Sequence, residues 1–236
     1  MSGKDKLPEK AGRASDDVAA FLDQLARTPA VHSAAGRGRL IFAMDATASR
    51  EPTWDRACHI QGEMFSATEG LGGLEVQLVF YRGFGECRAS NWVDNPAALV
   101  RSMTAVHCLG GQTQIGKVLR HAIRETEKRK VNALVFVGDC MEEDVDAVCH
   151  DAGRLGLLGV PMFVFHEGGD PIAERAFRQF ARLTGGAYCR FDSASASQLR
   201  ELLSAVAVYA AGGRRALEDF GRRTGGAVAQ ITSQVK

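Results

Sequence analysis

Asp45, Thr47 and Ser49 form a D-x-T-x-S run directly after the apolar segment RLIFAMD. In an extended chain alternate side chains point the same way, so these three can present oxygens on one side of a strand's carboxyl end. A second oxygen source is the loop Gly110-Gly111-Gln112-Thr113, where the two glycines allow close backbone approach and Thr113 offers a hydroxyl beside a helix that starts near Ile115. Asp139, at the end of the apolar run VNALVFVG, is the third. Two carboxylates and three hydroxyls from three loops suit a hard cation. With so few carboxylates and room for water, octahedral Mg²⁺ or Mn²⁺ fits better than Ca²⁺. Such an ion keeps an open coordination position, and its natural occupant is an Asp or Glu carboxylate from a partner protein. Binding of that kind requires no nucleophile and no general base.

Those loops need a scaffold that brings strand ends together. From Arg39 onward apolar runs alternate with helical periodicity, the pattern of repeated βαβ units. Strands are expected at 39–45, 74–82, 132–139, 160–167 and 186–191, with a short antiparallel edge ribbon at 85–92. Helices are expected to open near Pro52, Asn95, Ile115, Glu142, Pro171 and Ser195. The fold class is therefore α/β: a Rossmann-like, doubly wound, mainly parallel central sheet with one antiparallel edge strand and helices on both faces. In such sheets ligands bind beyond the carboxyl ends of the strands, where the D-x-T-x-S run and Asp139 fall. Residues 1–37 read as a flexible tail and a short amphipathic helix built on Val18, Phe21, Leu22 and Leu25. Residues 38–212 read as the domain and 213–236 as a C-terminal extension, with 221–236 loosely attached.

Composition narrows the function classes. A 236-residue chain with 45% hydrophobic and 24% charged residues can bury a full core. A net charge of +1 gives no general pull toward nucleic acid or an anionic membrane. The N-terminal residues lack a signal-peptide core, and no apolar run approaches the ~20 residues of a membrane helix, so a cytoplasmic location is expected. The six cysteines are dispersed without a C-x-x-C pair and read as reduced, mostly buried thiols. The six histidines make no zinc pattern; His107 and His121 flank the Thr113 loop. Arg82, Phe84, Trp92 and Trp54 are candidates for the rim of a partner-binding face, with Trp54 the one expected to pack instead in the core. The sequence leaves the oligomeric state open.

The ordered triple of D-x-T-x-S, Gly-Gly-x-Thr and a strand-terminal Asp139 resembles the metal-ion-dependent adhesion site of von Willebrand factor A domains. The resemblance runs from about Arg39 to Ala211 and includes Leu183-Thr184-Gly185-Gly186-Ala187-Tyr188, which looks like the approach to that family's last strand. It implies that Asp45, Thr47 and Ser49 are first-loop ligands, Thr113 the second-loop ligand and Asp139 the third, some through water. It also implies a non-catalytic, metal-dependent protein-binding module, a component of an intracellular assembly. Two positions depart from the family pattern: Ala46 replaces the usual Gly, and Thr47 replaces Ser, keeping the hydroxyl but restricting its rotamer.

Two alternatives remain. Gly138-Asp139-Cys140-Met141-Glu142-Glu143-Asp144 resembles the acidic metal loop of haloacid dehalogenase phosphatases, with Asp45 as the nucleophile. That family needs a second Asp two residues on, where this chain has Thr47. The second alternative is an RNA-associated module, drawing on Arg120, Arg124, the Lys128-Arg129-Lys130 run and Arg214, Arg215, Arg222 and Arg223.

Overall fold

The computed structural model describes residues 37–60, 73–191 and 196–224. The amphipathic helix expected within 1–37 and the last residues of the C-terminal extension lie outside them. Among the described residues six strands form one sheet: β1 (Gly38–Asp45), β2 (Leu74–Arg82), β3 (Glu86–Ala89), β4 (Ala133–Gly138), β5 (Met162–Glu167) and β6 (Ala187–Phe191). Their order is β3-β2-β1-β4-β5-β6, and only β3 runs antiparallel, at one edge. The helices are α1 (Glu51–Ile60), α2 (Pro96–Thr104), α3 (Ile115–Lys128), α4 (Val145–Leu157), α5 (Pro171–Thr184) and α6 (Ala196–Thr224). A single 3-10 turn, Ala48–Arg50, joins β1 to α1.

The two-residue period of β1 divides the core. Leu40, Phe42 and Met44 face a layer built from α1, α2 and α6, while Ile41 and Ala43 face α3, α4 and α5. Every residue of β1 is buried, as expected of a central parallel strand covered on both faces. Each fully buried Val, Leu, Ile or Phe contributes roughly 1.5–3 kcal/mol of transfer free energy, and β1 and β4 carry such residues on both faces. Close packing also fixes two glycines. A Cβ on Gly38 would lie 2.4 Å from the Ala210 carbonyl oxygen of α6, and one on Gly186 would lie 2.0 Å from that of Met162.

Local chemistry sets the helix starts. Asn95 caps α2 by accepting from the Ala98 N–H at 2.9 Å, and Asp170 caps α5 by accepting from Ile172 and Ala173 at 2.7 and 2.8 Å. Pro96 and Pro171 occupy first-turn positions, where their missing N–H groups cost nothing. The helix expected from Glu142 begins instead at Val145, capped by Asp144, because Glu142 and Glu143 bond to the α3 side of the molecule. At the carboxyl end α6 continues past Gly212 to Thr224, so residues 221–224, read as part of a loose tail, are helical. The helix kinks at Gly213, whose φ of 69° and ψ of −165° are conformations available to glycine.

Candidate metal centre

The sheet reverses its winding direction at β1, with β2 on one side and β4 on the other. A cleft of about 210 Å³ opens there, and Asp45, Thr47, Ser49, Thr113 and Asp139 all line it, together with Gly110, Gly111 and Glu142. The structure thus brings together every side chain that the sequence nominates as a ligand.

Asp45 ends β1 on the α3-facing parity and is 1% exposed. Its Oδ1 accepts the Thr47 N–H at 2.7 Å, and its Oδ2 accepts the Tyr81 hydroxyl at 3.1 Å. Burial raises the carboxyl pKa above its ordinary value; the hydrogen bonds from Thr47 and Tyr81 oppose that rise, and the charge of Asp139 adds to it. Thr47 and Ser49 sit with their hydroxyls 3.3 Å apart, and the Ser49 hydroxyl donates to Asp139 Oδ2 at 3.0 Å. The same cleft pushes the Cys140 thiol up to about 12, first by burial and then through the charges of Glu142, Asp139 and Asp45.

Thr113 is fixed by a residue that sequence reasoning assigned to a helix start. Its N–H donates to Glu142 Oε2 at 2.9 Å, and its hydroxyl accepts the Glu142 N–H at 3.0 Å. Glu143 then takes the first amides of α3, accepting from Ile115 at 2.5 Å and Gly116 at 3.0 Å. Gln114, the residue before α3, makes no side-chain cap. Glu143 therefore caps α3 from a distant loop, placing its carboxylate at the helix's positive end, while Glu142 holds the loop that leads into it.

Arg50 also escaped the sequence reading. The 3-10 turn carries it inward to 2% exposure, where its Nη1 pairs with Glu167 and lies 3.8 Å from Asp139 Oδ2. Glu167 also accepts the Thr53 hydroxyl at 2.5 Å. The only hint in the sequence was a charged residue immediately after D-x-T-x-S. Tyr81 was hidden in an apolar strand, and its contact with Asp45 follows from the β1–β2 register that sets the two opposite each other. His166, wholly buried, joins the third loop to the core: its Nε2 is 3.3 Å from the Asp139 carbonyl oxygen and its Nδ1 is 2.8 Å from the Tyr188 hydroxyl.

Several peripheral expectations change. Phe84 is 84% exposed at the β2–β3 turn, whereas Trp92 lies against Arg39 and Glu125, away from the cleft. Trp54 is buried as expected, edge-on to Phe80, with its indole N–H donating to the Met103 carbonyl. All six cysteines are free, but only Cys189 is fully buried; the rest are partly covered, at the margins of the core.

The donor set fits a hard cation. All five nominated side chains offer oxygen, and negative charge gathers around them: Asp139 adds to the rise in the Asp45 pKa, and Glu142, Asp139 and Asp45 add to that of the Cys140 thiol. Among the described residues no three His, Cys, Asp or Glu side chains gather as a ligand group, so hydroxyls and water would have to complete the shell.

No protein-family model matches this chain, and no curated protein matches it. Solved structures do. The SpRpn10 VWA domain is 14% identical with a TM-score of 0.55, covering 71% of this chain and 94% of that domain. The pilus adhesin SpaC from Lactobacillus rhamnosus GG is 9% identical with a TM-score of 0.59, covering 80% of this chain but 31% of the adhesin. The human COPII-coat protein Sec24c is 12% identical with a TM-score of 0.53, covering 74% of this chain and 32% of that protein. This chain therefore has a von Willebrand factor A-like fold.

Proposed function

We propose that this chain is a non-catalytic, divalent-metal-dependent protein-binding module. The observation that carries this reading is the convergence of Asp45, Thr47, Ser49, Thr113 and Asp139 on one cleft at the carboxyl ends of β1 and β4. Those five residues would hold Mg²⁺ or Mn²⁺, directly or through water. A bound ion would supply a Lewis-acidic position for an Asp or Glu carboxylate of a partner.

The chain's own residues do the remaining work. Tyr81 and the Thr47 N–H orient the Asp45 carboxylate, Ser49 orients Asp139, and Glu142 holds the Thr113 loop. The rim suits a protein partner. Gly83 binds the second loop through Gln112, and the exposed Phe84 follows it; Leu109, 48% exposed, is tied to the Ala46 carbonyl beside the first loop. Exposed apolar side chains beside a polar cleft are the anatomy of an interface. Two structures of similar fold are a pilus adhesin and a COPII-coat protein, which supports a role in protein attachment or assembly by analogy. A phosphatase of the haloacid dehalogenase kind, with Asp45 as nucleophile, would need a second Asp two residues on as general acid. Thr47 stands there, its N–H committed to the Asp45 carboxylate.

Titration of Mn²⁺ followed by electron paramagnetic resonance tests the reading. One bound ion is expected in the native protein and none in Asp45→Ala, with the circular dichroism of the two proteins alike. Binding that survives Asp45→Ala, or its absence from the native protein even with an acidic partner peptide added, would overturn the metal assignment.

A further inference from the structure

A second groove of about 150 Å³ lies between β3 and α3 and shares no residue with the metal cleft. Its walls are Cys87 and Arg88 from β3 and Lys117, Arg120, His121 and Arg124 from α3, and the buried Val79 forms part of its floor. Among the described residues no carboxylate lines it.

The four cations are not equally neutralised. Arg88 pairs with Glu86 at 2.7 Å, and Arg120 pairs with Asp151 at 2.6 Å, both outside the groove lining. Lys117 donates only to neutral acceptors, the Gly85 carbonyl and Gln114 Oε1, both at 2.8 Å. Among the described residues neither Lys117 nor Arg124 has a salt bridge to a carboxylate. Their fields reach Cys87: burial raises its thiol pKa, Lys117, Arg124 and Arg120 oppose that rise, and Glu143, outside the groove lining, adds to it. A concave surface with excess charge of one sign concentrates counter-ions of the other.

We infer that this groove docks a phosphorylated serine or threonine in an extended segment of a partner protein, with Lys117 and Arg124 as the principal phosphate ligands. Three features favour that occupant. A phosphate monoester carries nearly two charges and three acceptor oxygens, which matches a cluster of Lys and Arg better than a single carboxylate does. The cationic walls are exposed, so a small phosphate ester would stay largely in water instead of being enclosed as a metabolite is. The sheet order also ends at β3, leaving one edge of that strand without a strand partner among the described residues, so that an extended peptide can lie beside the groove. Among the described residues no Phe, Tyr or Trp lines the groove and His121 is its one ring, so it lacks the run of aromatic side chains on which proteins stack successive single-stranded RNA bases.

The experiment measures fluorescence anisotropy with one acidic hexapeptide in two forms, carrying serine or phosphoserine at its centre. Polyuridine serves as the nucleic-acid probe. The phosphopeptide is expected to bind at least about tenfold tighter than its parent. That preference should vanish in Arg124→Glu and in Lys117→Ala, and persist in Arg175→Ala, an exposed α5 control, and in the metal-site variant Asp45→Ala. Among the described residues Arg124 has no salt bridge, and it is exposed, so Arg124→Glu should keep the native circular dichroism. Equal binding of the two peptides, a preference indifferent to Arg124→Glu, or polyuridine bound through these residues without phosphopeptide binding would each overturn the inference.

Discussion

Thr113 and Glu142 hold each other at two points, the Thr113 N–H donating to Glu142 Oε2 at 2.9 Å and the Glu142 N–H donating to Thr113 Oγ1 at 3.0 Å. The pair ties the loop before α3 to the loop after β4. Two of the three oxygen-bearing loops are thus tied directly to each other.

Glu142→Ala should therefore loosen Thr113 without touching Asp45 or Asp139. Removing a residue that orients a metal ligand typically costs about 10–100-fold in affinity, and a similar loss of Mn²⁺ binding is expected here. The Thr113 N–H loses its acceptor, so stability should fall by roughly 1–3 kcal/mol in urea denaturation. Glu142→Gln retains an acceptor oxygen and should lie closer to the native protein on both measurements. Native metal affinity in Glu142→Ala would mean that Thr113 is held by its own loop.

Arg50 and Glu167 form a pair of low exposure beneath Asp139. Arg50→Met leaves a desolvated carboxylate unpaired, a change that costs about 3–5 kcal/mol where such pairs are broken. In a Glu167→Gln background the same substitution should cost clearly less, because no uncompensated charge remains. Equal costs in the two backgrounds, read by urea unfolding, would show that Arg50 acts through packing alone. Losing the cation beside Asp139 should also strengthen Mn²⁺ binding.

Gly111 lies in the second loop where a Cβ would be 2.2 Å from the Gly83 carbonyl oxygen. Gly111→Ala must push the β2–β3 turn away from the cleft, and a loss of roughly 1–3 kcal/mol is expected, as for overpacking elsewhere. Gly110→Ala, one residue earlier, meets nothing within 4 Å and should be far milder. Similar melting curves for the two variants would contradict this close approach.

His121 and His166 both have pKa values lowered, in each case chiefly by burial. Below about pH 6.5 the unfolded chain takes up protons on these residues that the folded chain resists, so stability falls as the pH drops through that window. Each histidine contributes a slope of at most about 1.4 kcal/mol per pH unit. Asp45 acts with the opposite sign in the carboxylate range, because its raised pKa lets the folded chain bind more protons there. Urea unfolding between about pH 7.5 and 5.5 isolates the histidines. His121→Gln, which keeps a donor for Gln77, should flatten the dependence, and an unchanged slope would remove His121 from the account.

The sequence alone determined the architecture and the composition of the cleft. Strand positions follow from apolar runs too short and too rich in β-branched and aromatic residues to be helices, and β2 occupies Leu74–Arg82 as expected. The nominated oxygen donors sit at strand ends and loop turns, where local sequence decides backbone shape, and all of them line one cleft. Helix starts marked by a local signal, Asn95 for α2 and the first-turn Pro171 for α5, could be read in the same way.

Only the tertiary structure decided what surrounds those donors. Tyr81 reaches Asp45 through strand register, Glu142 reaches the Thr113 loop and Glu143 the start of α3, and Arg50 finds Glu167 more than a hundred residues away. The start of α4 shifted for the same reason, since Glu142 bonds to the distant Thr113 loop and Glu143 to the start of α3, which leaves Asp144 as the cap. Hydrophobic periodicity and capping are properties of neighbouring residues and can be read along the chain. Partnerships among buried polar groups depend on which loops the sheet order brings together, and no local pattern encodes them.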